Sequence, residues 1–244
     1  SDRQANVWVD HVLATWDLMD EVARRHPDVQ MMLCASGGGR TDHGTLRHFH
    51  EFWTSDNTDP VARIRMQWAC GHFFPASTMA AHVTRWGERP LGFACAVALS
   101  GRFGFDLDLS GLSVDDLAVC RRAADWAHRT QDLVQVGELI RLVSPVEGDG
   151  SRAALAFMAP DRSRAVAVAY QLDEPNGAGP ALSLTGLDPT SHYEVISTDL
   201  SGRPESLGSR SGADLSDPGI EWPLTAGLTS RWWELRRAPE RGEL

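Results

Sequence analysis

The chain contains no lysine: all 23 basic residues are arginine, set against 33 Asp and Glu for a formal charge of −10. An acidic chain without a basic stripe is a poor ligand for nucleic acid or for an anionic membrane surface. No apolar run approaches the roughly 20 residues of a membrane-spanning helix. No CxxC pair occurs either. The four cysteines, Cys34, Cys70, Cys95 and Cys120, are widely spaced, which argues against a disulfide framework or a zinc site and predicts buried thiols in a reducing, cytoplasmic compartment. What is present is ordinary for a globular protein, with 42% hydrophobic and 23% charged residues in 244. That length suits one large domain or two small ones. A neutral, polar small molecule is the easiest partner to accommodate.

Residues 8–24 place Val9, Val12, Leu13, Trp16, Met19 and Ala23 at helical spacing, and Pro27 ends that helix. Val29–Cys34 then reads as a buried strand, the pattern of a parallel sheet. Phe52–Thr54 predicts a second strand, followed by a helix from Val61 to about Ala69 with Val61, Ile64, Arg65 and Trp68 on one face. His72–Pro75 looks like a third strand end and Arg102–Phe105 like a fourth strand. Ser113 with Asp116 opens a long helix with Leu117, Cys120, Ala124 and Ala127 inward, and Gly137 closes it. Alternating strands and helices predict a parallel α/β unit. After residue 145 the composition changes. Runs at 153–159, 165–171, 181–187, 193–198 and 232–236, separated by turn residues such as Pro175-Asn176-Gly177, predict an antiparallel β domain.

Two strand ends carry chemistry. Cys34-Ala35-Ser36-Gly37-Gly38-Gly39-Arg40 would let a backbone approach a ligand closely at the functional edge of a parallel sheet. It lacks the Gly-Lys-Ser/Thr of a phosphate loop, and Ser36 is not framed as a nucleophile elbow. A plain strand-to-helix turn remains open as an alternative. Trp53-Thr54-Ser55-Asp56-Asn57-Thr58-Asp59 sets an aromatic ring beside carboxylates. Such a ring can stack on a pyranose, and a carboxyl in that setting can serve as general acid. Asp56 and Asn57 could equally cap the next helix, and Asp59 more so. Asp42, His43, His48 and His50 match no strong metal-ligand spacing, Cys34 has no family-like frame for a nucleophile, and His82 reads as a hydrogen-bonded structural histidine.

Taken together, the two strand ends, Met79-Ala80-Ala81-His82-Val83-Thr84, Phe103–Leu109, Arg141–Pro145 and Gly186-Leu187-Asp188-Pro189 resemble the α-galactosidases of glycoside hydrolase family 36. The blocks run in the family's order over nearly the whole chain. The resemblance implies the C-terminal part of a (β/α)₈ barrel over 1–145, followed by the family's C-terminal β domain over 146–244. It implies a retaining glycosidase, whose mechanism needs two carboxyls about 5–5.5 Å apart. Asp56 matches the acid/base aspartate. Cys34, Ser36 and Gly37 match the loop that contacts the galactose, Trp53 lies beside the acid/base, and Arg40 and Asp42 hold the loop. No metal or organic cofactor is required, and the implied partner is an α-galactoside oligosaccharide such as raffinose, with homo-oligomers by family analogy.

The family's nucleophile lies in a Lys-x-Asp-x-Asn strand, which a chain without lysine cannot contain. Asp2 and Asp10 do not lie on a strand pattern. The expectation is therefore half a barrel with its nucleophile outside this chain, with sheet edges and apolar helix faces uncovered. Rival readings are a non-catalytic galactoside-binding remnant, and an α-N-acetylgalactosaminidase or galactosyl transferase on the same scaffold.

Overall fold

A computed structural model describes residues 4, 6–84, 88–177 and 179–239. Helix α1 (Val7–Arg25) leads to strand β1 (Met32–Leu33). Strand β2 (Glu51–Trp53), helix α2 (Pro60–Cys70), strand β3 (Met79–Val83), helix α3 (Leu91–Ala98), strand β4 (Arg102–Phe105) and helix α4 (Val114–Val136) follow. The four strands form one sheet in the order β1-β2-β3-β4, and every pair is parallel. Strands in chain order joined by helices are the arrangement of a (β/α)₈ barrel. Here the sheet is half of one and stays open, with β1 and β4 as its edges.

That openness explains where the local pattern misleads. Only Met32 and Leu33 of the 29–34 run become strand, and Val29 and Met32 are exposed, because the run sits on an edge. Helix α1 forms as expected but buries no residue; Trp8 is 78% and Leu18 64% exposed. Its Trp16 rests against Gly44. His72–Pro75 is a turn after α2, and the third strand is Met79–Val83. Helix α3 is apolar all round and buried on all sides except Gly92, so it carries no amphipathic signal. In α4, Ser113 Oγ accepts from the Asp116 N–H as its cap. The helix is rotated from expectation. Cys120, Ala123, Trp126 and Leu133 face inward, while Leu117 and Ala124 are exposed.

The second sheet contains β5 (Glu138–Val143), β6 (Arg152–Met158), β7 (Arg164–Gln171), β8 (His192–Thr198), β9 (Glu205–Ser211) and β10 (Thr229–Arg237). Its order is β5-β6-β7-β10-β8-β9, antiparallel throughout. The short helix α5 (Gly212–Ser216) follows β9. By pairing, β5 belongs to this sheet, although Arg141 on it lies 5.6 Å above the Trp68 ring of α2. The 181–187 run makes only the bridge Leu182–Ile220; its Leu182, Leu184 and Leu187 are core residues all the same. Strand β9 went unread because it is a polar edge, exposed over most of its length.

Period-two alternation gives the second sheet two cores. Val166, Val168, Tyr170 and Trp232 point into the core shared with the half-barrel. Ala165, Ala167, Ala169 and Trp233 point into a separate one. The junction is specific. The amide of Ser100 bonds Val97, so the Ala96 carbonyl at the end of α3 is released from the helix. It accepts the Tyr170 hydroxyl at 3.1 Å and the Trp232 indole N–H at 3.2 Å.

Candidate active site

The chain leaving β1 folds back on itself. Ser36 and Gly37 take positive φ of 51° and 75°, the Ala35 N–H donates to the Gly37 carbonyl at 3.0 Å, and the Thr41 N–H to that of Gly38 at 3.0 Å. Asp42 anchors the far side. Its Oδ1 accepts the Thr45 N–H at 2.7 Å, and the Thr45 hydroxyl donates to the Arg40 carbonyl at 2.9 Å. Arg40 thus holds the loop through its backbone.

Gly37 is the contact between the two strand ends. A Cβ there would stand 2.7 Å from Ser55 Cα and 3.2 Å from the Asp56 nitrogen. A Cβ on Gly38 would stand 3.2 Å from the Thr54 carbonyl oxygen. The loop after β1 therefore lies directly on the loop after β2, at the C-terminal edge of the sheet. Gly37 is buried there, while Cys34, Ser36 and Asp56 are exposed along that edge. Among the described residues the Asp56 carboxyl accepts no capping bond. Ser55 Oγ accepts the Asn57 N–H at 3.1 Å, and Asn57 Oδ1 accepts the Asp59 N–H at 3.0 Å. Asp59 occupies the N-cap position of α2 without a side-chain cap bond; it pairs with Arg89 Nε at 3.0 Å instead.

Trp53 is only 9% exposed. The Arg63 guanidinium lies 4.4 Å from the centre of its ring, and His82 sits 5.1 Å away at 51°. The indole is thus the floor of the strand end rather than an open platform. Burial pushes the Arg63 guanidinium down to about 10, opposed by Cys70 and then Asp56. The sequence reading missed Arg63, and it missed Gln67 four residues on. Both are buried on α2, but a charged or polar residue in a helix reads as solvent-facing. His82 packs on Trp53 and against Gly104, where a Cβ would meet its ring at 2.7 Å. Among the described residues it makes none of the hydrogen bonds expected of it.

The other histidines diverge. His43 packs on Phe74, His48 faces Asp20 at 3.3 Å, and His50 Nδ1 accepts the Met31 N–H at 3.1 Å. Asp2 lies outside the described residues, and Asp10 is exposed on α1. Cys95 and Cys120 are buried as expected, but Cys34 is exposed and Cys70 half-buried. Burial, with Cys120 adding to it, pushes the Cys95 thiol far up. No described helix is long and apolar enough to cross a membrane.

Residues 1–137 match the melibiase family model, and residues 152–235 match the glycosyl hydrolase family 36 C-terminal domain. α-Galactosidase AgaA of Geobacillus stearothermophilus is 32% identical over 243 residues, 96% of this chain and 32% of that protein. α-Galactosidase C of Emericella nidulans is 38% identical over 194 residues, 76% of this chain and 25% of that one. A variant of AgaA solved in complex with raffinose superimposes with a TM-score of 0.88 at 30% identity, covering 98% of this chain and 33% of the other. The chain thus spans about a third of the length of such relatives.

Proposed function

The chain belongs to the melibiase family, glycoside hydrolase family 36, and from that premise we propose that it carries the acid/base half of a retaining α-galactosidase site. The observation behind this is the packing of Gly37 on Ser55 and Asp56, which joins the glycine loop and the carboxylate at one sheet edge. In this reading Asp56 protonates the glycosidic oxygen as the sugar's anomeric carbon passes to a second carboxylate, supplied from outside this chain. Asp56 then takes a proton from the water that hydrolyses the galactosyl ester. Cys34, Ser36 and the Gly37 backbone contact the galactose, and Trp53 forms the floor beneath the acid. Two carboxylates are enough for the chemistry.

The substrates are terminal α-galactosides of the raffinose and melibiose type; the relative solved with raffinose supports that class. We place the catalytic unit at 1–145 and the β domain at 146–244, with β5 bridging them. Free cysteines favour a cytoplasmic site of action in carbohydrate metabolism, and the intact enzyme is proposed to be a homo-oligomer.

The test has two arms. The chain alone should not turn over p-nitrophenyl α-galactoside; turnover abolished by Asp56→Ala would put the nucleophile within these residues and overturn the reading. In one polypeptide with the Lys-x-Asp-x-Asn strand, Asp56→Ala should cost raffinose hydrolysis about 10²–10⁴-fold. In kcat/KM, which reports the first step alone, the aryl galactoside, whose leaving group needs no proton, should lose far less. Equal losses would mean that Asp56 is not the acid.

A further inference from the structure

Beside Arg63, which packs on Trp53, lies a small, half-open cavity lined by α2, β3 and α3 together with Thr58 and Thr84. It has room for the centre of one water-sized sphere, ≈ 10 Å³. Its polar lining consists of Thr58, Arg63, Gln67, His82 and Thr84, and the remaining wall is apolar. Arg63 is only 3% exposed, and both of its terminal nitrogens are buried without a hydrogen-bond partner.

Leaving a guanidinium in this state is costly, because a buried charge requires both hydrogen bonds and charge compensation. The group stays protonated at neutral pH, since burial lowers it only to about 10. The Trp53 face offsets part of the charge but accepts none of the terminal N–H groups. Among the described residues no carboxylate lines the cavity, and Asp56 acts on the guanidinium only from the exposed edge. The other polar groups carry no negative charge: the threonine hydroxyls both donate and accept, and Gln67 presents its amide oxygen. Thr84 donates its hydroxyl to Thr58 at 2.8 Å, which leaves the Thr58 O–H proton free to point inward. Gln67 commits its amide N–H groups to Ser100 at 2.8 Å and Val97 at 3.3 Å.

We infer that this cavity is a binding site for one monoatomic anion of the chloride class, held by Arg63 and Thr58 beside the Trp53–Asp56 strand end. Water would satisfy the N–H groups but bring no negative charge to the guanidinium. A carboxylate or phosphate is too large for the space. The cavity is lined by residues of α2, β3 and α3 and by the adjoining Thr58 and Thr84. The site is independent of the catalytic reading above.

Thermal unfolding of the chain in about 150 mM sodium chloride should be compared with sodium gluconate at equal ionic strength, at which long-range screening is matched. Chloride and bromide should raise Tm saturably by roughly 2–4 °C, and Arg63→Met should abolish the difference. Should that variant fail to fold, Thr58→Val should shift the halide midpoint upward by about 2–12-fold, the loss of one hydrogen bond. A crystal of the unaltered chain grown in bromide should show an anomalous peak beside the Arg63 guanidinium. Equal melting in chloride and gluconate, or a crystal with only a water there, would overturn the proposal.

Discussion

Gly37→Ala tests whether the two strand ends are one site. Gly37 has φ +75°, a conformation that costs an L-residue roughly 1–2 kcal/mol. The new Cβ would also meet the Ser55 backbone at 2.7 Å and the Asp56 nitrogen at 3.2 Å. Backbone cannot swing away as a long side chain can, so either the glycine loop or the β2 end must move. Strain and clash together should cost about 2–4 kcal/mol, which at about 2–4 °C per kcal/mol is a Tm loss of roughly 4–16 °C. Gly148→Ala is the internal control: φ is +64° but nothing lies within 4 Å of the added carbon. It bears the conformational cost alone, roughly 1–2 kcal/mol. Urea and thermal unfolding of both variants, followed by circular dichroism, separate the two contributions. Were Gly37→Ala no worse than Gly148→Ala, the glycine loop would not rest on the Asp56 strand end, and the shared-site reasoning would fail.

At the junction of the two sheets, Tyr170→Phe should cost about 0.5–1.5 kcal/mol, because Trp232 still serves the Ala96 carbonyl. Combining it with Trp232→Phe should cost more than the sum of the single changes, since that carbonyl is then left unpaired, and a double-mutant cycle in urea reads the coupling. Additive losses would show that the two donors do not share an acceptor. Asp188 is held down to about 2 by hydrogen bonds from Ser191 and then Thr190. Its folded pKa lies below the unfolded value, so its contribution is complete above about 3.8 and is lost as pH falls toward about 2. Asp188→Ala should flatten the acid limb of stability in that window; an unchanged limb would refute the assignment. Asp59→Ala removes a partly exposed ion pair with Arg89 and should cost no more than about 1 kcal/mol. A larger loss in Tm would mean that Asp59 carries more than that pair.

Residue pattern alone was enough for the parallel-then-antiparallel plan, helices α1 and α4, strands β2 and β4, and the two loops that meet at the candidate site. Those features are local. Helical spacing from Val9 to Ala23, the Ser113–Asp116 cap and the glycine run each act within a few residues of themselves. The same kind of reasoning failed wherever burial depended on a distant neighbour. Helix α3 is buried on nearly every side by β3, α4 and the second sheet, so no apolar stripe marked it. The 29–34 run is apolar, yet it ends on an edge with little to cover it. Exposed β9 forms because β8 offers it a partner, a choice made by pairing rather than by its own polar residues. At the site, Cys34, Ser36, Gly37, Trp53 and Asp56 were recognisable as residue types beside one another in the chain. Tertiary structure alone decided that Gly37 touches Ser55, that Trp53 is a floor, and that Arg63 lies buried beneath it. The reason is physical: conformation and capping are written into neighbouring residues, whereas burial and charge compensation depend on what the rest of the fold brings alongside.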